Sequence, residues 1–157
     1  MPGILSRAQV AAQRERWRRE GKRVVFTNGC YDLLHPGHIR LLEGARSLGD
    51  VLIVALNSDA SVKRAKGEAR PLIGERERAE LALALEAVDA VSIFDEDTPR
   101  ELIATILPDV LVKGADWTHF VAGREEVEAA GGQVVNLPLE PGYSTTGIVD
   151  LMLKPQP

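Results

Sequence analysis

The sequence has a single cysteine, Cys30, and no apolar run long enough to cross a membrane. One cysteine excludes an internal disulfide framework, and a membrane-spanning helix needs roughly 20 consecutive apolar residues. The first six residues also lack the charged start and following apolar stretch of a secretion signal. These absences predict a cytoplasmic protein that does not enter a membrane.

Positive charge is not in excess either, because 19 Lys and Arg stand against 23 Asp and Glu, for a formal net charge of −4. This balance argues against a general nucleic-acid-binding protein, and we expect no nucleic-acid partner. A chain of 157 residues fits one domain with a real core. We divide it into an N-terminal helix, residues 1–21, and a domain over residues 22–157. The helix carries four arginines that predict a solvent-facing basic side: Arg14, Arg16, Arg18 and Arg19.

Apolar, β-rich runs alternate with helical patterns after residue 22. We predict strands at residues 24–28, 51–57, 88–94, 109–113 and 133–138, and helices at 36–48, 75–86, 98–106, 123–131 and 144–153. The nearly continuous apolar run at 51–56 is typical of a central parallel strand buried on both faces. This alternation predicts an α/β fold with a single doubly wound, parallel, five-stranded sheet.

Two histidines stand where the first of these strands gives way to a helix, in the run His35-Pro36-Gly37-His38. Proline is favoured at the first helical position, so Pro36 is predicted to open a helix with His35 as its cap. His38 then shares a helix face with His35, and Gly37 lets a bulky anion approach the backbone. A helix N-terminus offers free N–H groups and partial positive charge. The run therefore predicts a phosphate site.

The two histidines also fit a structural role or a metal site. A single histidine is more often a surface or core residue than a catalyst. Cys30, His35 and His38 are close enough in sequence to suggest shared metal ligation. The usual zinc spacings are absent and no second cysteine is present. We therefore expect no metal bound directly by the protein here.

Polar residues follow three of the predicted strands, in Asn28-Gly29-Cys30, Asn57-Ser58-Asp59 and Lys113-Gly114-Ala115-Asp116. Ligands of doubly wound sheets bind outside the carboxyl ends of the strands, so these groups should converge. The run from Lys63 to Arg70 adds four cations among eight residues, which we interpret as a mobile basic loop. A solvated loop without a function is the simpler interpretation.

A second candidate phosphate site precedes the last predicted helix, at Gly142-Tyr143-Ser144-Thr145-Thr146. Serine and threonine are preferred N-caps, so plain capping is the alternative. Yet two helix N-termini facing one crevice could hold a triphosphate between them. The pair is a stronger signal than either helix start alone.

The residues that carry these signals resemble a known family. The stretch from Phe26 to His38, with its His-x-Gly-His, is similar to the first signature of the cytidylyltransferase-like nucleotidyltransferases, and Ser144-Thr145-Thr146 to their second. The resemblance covers nearly everything after residue 22 and implies a Rossmann-like nucleotidyltransferase fold. Within the family, the likeness is to the adenylyltransferase domains of ADP-heptose synthesis. Those domains are often fused to a sugar kinase, so a stand-alone form is expected here.

The resemblance implies transfer of AMP from ATP to D-glycero-D-manno-heptose 1-phosphate, with Mg²⁺ held mainly by the ATP phosphates, in a homodimer. Three residues would be catalytic: His35, His38 and Lys66. The nucleotide would contact Thr27, Asn28, Gly29, Cys30, Tyr31, Gly37, Asn57, Lys63, Arg70, Lys113, Gly142, Ser144, Thr145 and Thr146. The sugar phosphate would contact Asp32, Arg78 and Asp116.

Two other functions stay open. A cytidylyltransferase of the same family, acting on glycerol 3-phosphate or a related phosphorylated alcohol, is the first. Such enzymes typically carry an arginine before the last helix, whereas this chain has Leu139-Glu140-Pro141-Gly142-Tyr143-Ser144-Thr145 there. A nucleotide-binding module without turnover is the second, and the presence of both histidines argues against it.

Overall fold

The computed structural model describes residues 3–114, 120–155 and 157. The strands in this part of the chain are β1 (Ile4–Leu5), β2 (Val24–Gly29), β3 (Val51–Asn57), β4 (Ala90–Phe94), β5 (Val110–Gly114) and β6 (Gln133–Leu137). The helices are α1 (Arg7–Arg19), α2 (Pro36–Arg46), α3 (Asp59–Lys66), α4 (Glu75–Leu83), α5 (Arg100–Ile106), α6 (Arg124–Ala129) and α7 (Thr145–Leu153). All strand pairs are parallel, in the order β1-β4-β3-β2-β5-β6.

The predicted α/β fold with a doubly wound parallel sheet is confirmed, with one strand more than expected. The additional strand, β1, is two residues long and pairs with β4 at the sheet edge, Ile4 opposite Val91. Two residues are too few to show a β periodicity, so no pattern in the sequence indicates this strand. Helix α3 was also missed, and the basic segment predicted as a loop from Lys63 begins in its last turns.

The sheet is covered on both faces, as its apolar central strands require. Helices α1, α5 and α6 cover one face, where Val10 and Trp17 of α1 pack in a core with Phe26 of β2. Helices α2 and α4 cover the other face, where Leu42 and Ala79 are fully buried. We divided residues 1–21 from the domain on the basis of the sequence. In the structure, this segment contributes strand β1 and helix α1 to the same sheet and core.

The expectation of a solvent-facing basic side on α1 is wrong for Arg14. Its side chain is buried, and its guanidinium donates to the carbonyl of Leu107 at 3.0 Å and to the carboxylate of Asp109 at 3.2 Å. A buried guanidinium is tolerated because several acceptors compensate it. Burial still lowers the pKa of Arg14, with Asp109 opposing that shift. The other three arginines of that side are exposed.

The strand order places the functional end of the sheet. The chain runs from β2 to β3 and β4 on one side, then crosses to β5 and β6 on the other side of β2. The carboxyl ends of β2 and β5 therefore lie next to each other at the point where the winding reverses. In doubly wound sheets this is where ligands bind.

Among the described residues, no helix combines the length and apolar character needed to cross a membrane.

Candidate functional site

The start of α2 has the predicted architecture. His35 is the N-cap residue with an extended backbone, and Pro36 occupies the first turn. The Nδ1 atom of His38 accepts a hydrogen bond from the backbone N–H of His35 at 3.3 Å, and the two imidazoles stack with centroids 3.8 Å apart. A Cβ atom at Gly37 would lie 2.9 Å from the His35 ring, so only glycine fits beneath it. The histidine pair is thereby fixed against the first helical turn.

Both imidazoles are neutral near pH 7. Burial lowers the pKa of His35, and burial together with the neighbouring His35 lowers the pKa of His38 to about 4. Because Nδ1 of His38 accepts the bond from His35, the ring proton lies on Nε2, which is left to donate. Within the described part of the chain, Nδ1 of His35 is buried and has no hydrogen-bond partner. A neutral donor pair of this kind suits phosphate oxygens.

The start of α7 is tied to the same region. Ser144 is a true cap, since its Oγ accepts from the backbone N–H of Gly147 at 2.9 Å. The Oγ1 atom of Thr145 donates to the carbonyl of Leu33, two residues before His35, at 3.0 Å. Both helix starts therefore face one crevice, although the Ser144 hydroxyl is already engaged in capping.

We call this crevice the helix-start cavity. Its volume is about 320 Å³, at the lower end of the range for small-molecule sites. The predicted site residues that line it are Cys30, Tyr31, Asp32, His35, Gly37, His38, Lys66, Arg70, Ser144, Thr145 and Thr146. Four further residues line it that the sequence did not single out: Leu41, Leu139, Glu140 and Tyr143.

A second cavity of about 390 Å³, here the strand-exit cavity, lies at the carboxyl ends of the central strands. It contains the predicted residues Thr27, Asn28, Gly29, Cys30, Asn57, Lys66 and Lys113. Lining residues that were not predicted include Asp97, Thr98, Pro99 and Phe120. Cys30, Leu41 and Lys66 line both cavities, which therefore adjoin each other.

Two groups of the strand-exit cavity have shifted ionisation. The Nζ atom of Lys113 contacts Oδ1 of Asn28, and burial lowers the pKa of Lys113 to about 8. Burial raises the pKa of the Cys30 thiol, which stays protonated at neutral pH despite the cations Lys66 and Arg78 nearby. Cys30 is thus a poor nucleophile here.

The structure separates the two candidate lysines of the basic segment. Lys66, the last residue of α3, lines both cavities, whereas Lys63 lines neither. Arg70 reaches the helix-start cavity beside Asp32, with 3.4 Å between Nη1 and Oδ2. Asp32 also accepts from the backbone N–H groups of Leu72 and Ile73, so this carboxylate anchors the segment that follows Arg70.

Arg78 lies behind the site rather than in it, which corrects the substrate contact expected from the sequence. Its fully buried guanidinium donates to the carbonyls of Cys30 and Asn57, at the ends of β2 and β3, and to Asp59. Arg78 therefore holds the strand exits in position. Gly142 lines neither cavity and has a φ of 86°, which supplies the turn before α7. Asp116 lies outside the described residues.

Tyr143 belongs to the predicted run before α7, but the sequence assigned it no contact of its own. Its ring stacks on His35 with centroids 6.0 Å apart, and the guanidinium of Arg40 lies 5.6 Å from its centroid. Arg40 also forms an ion pair with Glu140 at 2.5 Å. The only signal available in the sequence was an aromatic residue directly before the Ser-Thr-Thr run.

The described residues contain no cluster of three or more His, Cys, Asp and Glu that could hold a metal ion. A divalent cation at this site would need ligands from the substrate.

Proteins of known sequence and structure resemble this chain along most of its length. The bifunctional protein HldE of Rhodopseudomonas palustris (strain BisB5) is 57% identical to this chain over 94% of its length. The bifunctional protein HldE of Pelobacter propionicus is 53% identical over 96% of this chain. The chain spans about 30% of the length of these relatives.

Solved structures share the fold. The lipopolysaccharide core biosynthesis protein from Thermoplasma volcanium is 28% identical, with a TM-score of 0.63 over 76% of this chain and 98% of that one. Pantoate-beta-alanine ligase from Francisella tularensis, at 15% identity, has a TM-score of 0.66 over 94% of this chain and 70% of its own, a likeness of fold alone. The cytidylyltransferase-like family pattern matches residues 26–150, from β2 to the last helix. Because that match includes both helix starts and covers well over half of the chain, this chain belongs to the cytidylyltransferase-like family.

Proposed function

We propose that this protein is an adenylyltransferase that moves AMP from ATP to a sugar 1-phosphate, D-glycero-D-manno-heptose 1-phosphate, giving ADP-heptose and pyrophosphate. The observation that carries the proposal is the cavity shared by the starts of α2 and α7, with His35 and His38 on its wall. The HldE relatives and the lipopolysaccharide core biosynthesis protein support the choice of a heptose.

The reaction needs no general base. A phosphate monoester has its second pKa near ~6, so the sugar phosphate is already anionic at neutral pH. One of its oxygens attacks the α-phosphorus of ATP, a new P–O bond forms, and the bond to the β-phosphate oxygen breaks with its electron pair. Pyrophosphate leaves, and catalysis consists of alignment and of stabilising charge on the phosphates.

The residues of the helix-start cavity fit this chemistry. His38 presents a neutral Nε2–H, which can donate a hydrogen bond to a phosphate oxygen. His35 supplies a second imidazole, and the backbone N–H groups at the start of α2 add partial positive charge. Lys66 stands between the two cavities as a point charge, where it can hold a phosphate of either substrate.

Mg²⁺ fits this site as a partner of the substrate. The described residues offer no three-ligand cluster for it, so the triphosphate oxygens and water would supply most of its ligands. When bound, the ion would neutralise charge on the phosphates. Asp32 is an unsuitable ligand, because its carboxylate already accepts from two backbone N–H groups and faces Arg70.

We further propose a cytoplasmic homodimer. The support for a dimer is the exposed apolar surface: Phe120 is 63% exposed, and α7 buries no side chain. Trp117, an apolar residue close to Phe120 in the sequence, lies outside the described residues. A free thiol and the use of ATP fit the cytoplasm.

The function is tested by pyrophosphate release, with the four nucleoside triphosphates crossed against several phosphorylated acceptors. We expect turnover with ATP and the heptose 1-phosphate, and turnover lowered about 10²–10³-fold in a His38→Ala control. Turnover with CTP and glycerol 3-phosphate instead would show that the proposed substrates are wrong, while the proposed nucleotidyl transfer would still hold. Binding of ATP in calorimetry without turnover on any acceptor would identify a nucleotide-binding module and reject the enzyme.

A further inference from the structure

The two adjoining cavities differ in the chemistry of their walls. The helix-start cavity is lined by the two imidazoles, Lys66 and Arg70, and by the N-termini of α2 and α7. Its two carboxylates are compensated, since Asp32 faces Arg70 and Glu140 pairs with Arg40. The wall therefore presents donors and positive potential, which suit a polyanion.

The strand-exit cavity offers a mixture of donors and acceptors instead. Asn28 and Asn57 contribute amides from the ends of β2 and β3, and Thr98 a hydroxyl from the segment after β4. Asp97 adds a carboxylate, which is solvent-exposed and pairs with Arg64 at 2.9 Å. These carboxylate and amide oxygens can accept hydrogen bonds from the hydroxyl groups of a ligand.

Two polar side chains that line this cavity are buried. Lys113 and Asn57 are each only 8% exposed, and both line the cavity. The Nδ2 atom of Asn57 donates to Ser61 at 3.0 Å, which fixes the amide. A ligand that leaves such buried polar side chains without a hydrogen-bond partner binds weakly, so these side chains can make a site selective.

We propose that the strand-exit cavity holds the polyhydroxylated sugar of the acceptor, with Asp97, Thr98 and Lys113 as specificity-determining residues, while the triphosphate occupies the helix-start cavity. Lys66 and Cys30, which line both cavities, then mark the junction where the acceptor phosphate meets the α-phosphate. This inference rests on the proposed function. It reassigns Lys113 and Asn57, which the sequence grouped with the nucleotide.

The competing arrangement puts the ribose and adenine of ATP in the strand-exit cavity. The two arrangements differ in which KM responds to a change there. Thr98→Val keeps the side-chain shape and removes the hydroxyl, and Lys113→Met keeps the length and removes the amine. The matched control is Thr146→Val, in the helix-start cavity.

Steady-state kinetics with ATP and D-glycero-D-manno-heptose 1-phosphate give both KM values for each variant. We expect Thr98→Val and Lys113→Met to raise the KM for the sugar phosphate about three- to tenfold, the loss of one hydrogen bond, with the KM for ATP within about twofold. Thr146→Val should instead raise the KM for ATP and leave the KM for the sugar phosphate nearly unchanged. Thermal unfolding of each variant checks that the fold is kept, because Thr98 also accepts from the N–H of Arg100.

A raised KM for ATP in either strand-exit variant overturns the assignment, as does an unchanged KM for the sugar phosphate in both. A wild-type protein that releases no pyrophosphate from any pair of substrates refutes the proposed function itself. In that case, calorimetric titration of the wild type and Thr98→Val with the sugar phosphate alone still tests the cavity. If the wild type and Thr98→Val bind the sugar phosphate with equal affinity, or if neither binds it, the assignment of the strand-exit cavity is wrong.

Discussion

The imidazoles of His35 and His38 stack with their centroids 3.8 Å apart and their planes 22° from parallel. Burial penalises a charge on the His38 ring, and two positive rings at this distance would also repel each other. Both effects lower the pKa of His38, so the pair would serve the proposed reaction as two neutral hydrogen-bond donors.

We expect His38→Ala to lower kcat by about 10²–10³ and to leave the fold intact, because losing one positioned donor to a developing charge costs that much. The pyrophosphate assay measures the rate, and circular dichroism checks the fold. Near wild-type turnover would show that His38 has only a structural role. His35→Ala should behave similarly, with some additional loss of stability because His35 is the N-cap of α2.

Stability should fall in the acid range because of His38. Its pKa of about 4 in the folded protein lies below the unfolded value near ~6.5, so the unfolded chain binds more protons between these two values. The contribution is fully present above about pH 6.5 and is lost as the pH falls toward 4. It amounts to at most about 3 kcal/mol, and solvent screening of the partly exposed ring reduces it. Urea unfolding between pH 4 and 7 should show a shallower pH dependence for His38→Gln than for wild type.

Lys66→Ala should depress turnover more than it disturbs stability, since an exposed lysine at the end of α3 contributes little to folding. Lys63→Ala is the matched control, because Lys63 belongs to the same helix and lines neither cavity. Kinetics and nucleotide affinity should change in the first variant only. Equal behaviour of the two variants would make Lys66 an ordinary surface lysine.

Arg78→Met should destabilise the protein by about 3–5 kcal/mol, because it strips the carbonyls of Cys30 and Asn57 of a buried donor. For a domain of this size the melting temperature should drop on the order of 10 °C. Arg76→Met, at an exposed position of the same helix, should change it by little. A melting temperature within about 2 °C of wild type for Arg78→Met would contradict the role given to this arginine.

The proposed homodimer predicts a mass of twice 17.1 kDa in analytical ultracentrifugation. If α7 forms the interface, Leu151→Lys combined with Met152→Lys should dissociate it, since these side chains are 65% and 70% exposed and apolar. Phe120→Ser tests separately whether Phe120, another exposed apolar residue, belongs to the interface. A wild-type mass near 17 kDa that does not depend on concentration would rule out the dimer.

The features that could be predicted from the sequence are those that depend on residues close together in the chain. The run from His35 to His38 contains its own proline, glycine and cap, and the apolar run of β3 determines its burial by itself. The two-residue strand β1 and the helix α3 depend on contacts with distant segments. Ser61 of α3, for example, is held by Asn57 and by the carbonyl of Glu96.

Buried cations were the main source of error. A local pattern assigns an arginine to the surface, because burying an unpaired charge is costly. Arg14, predicted to face solvent, and Arg78, expected to contact the substrate, are both buried, and the acceptors that make this possible come from far along the chain, such as Asp109 for Arg14 and Cys30 for Arg78. The contact of Tyr143 was not predicted either, since its partner Arg40 lies far away in the sequence, on α2.

Helix α7 begins at the cavity wall and buries none of its side chains further along. Its attachment depends on the first turn, where Thr145 reaches the carbonyl of Leu33. A phosphate bound at that turn would add contacts where a side chain of the helix is hydrogen-bonded to the rest of the domain. Nucleotide binding and the anchoring of α7 are then coupled equilibria, so the free energy of fixing the helix is subtracted from the measured affinity for ATP.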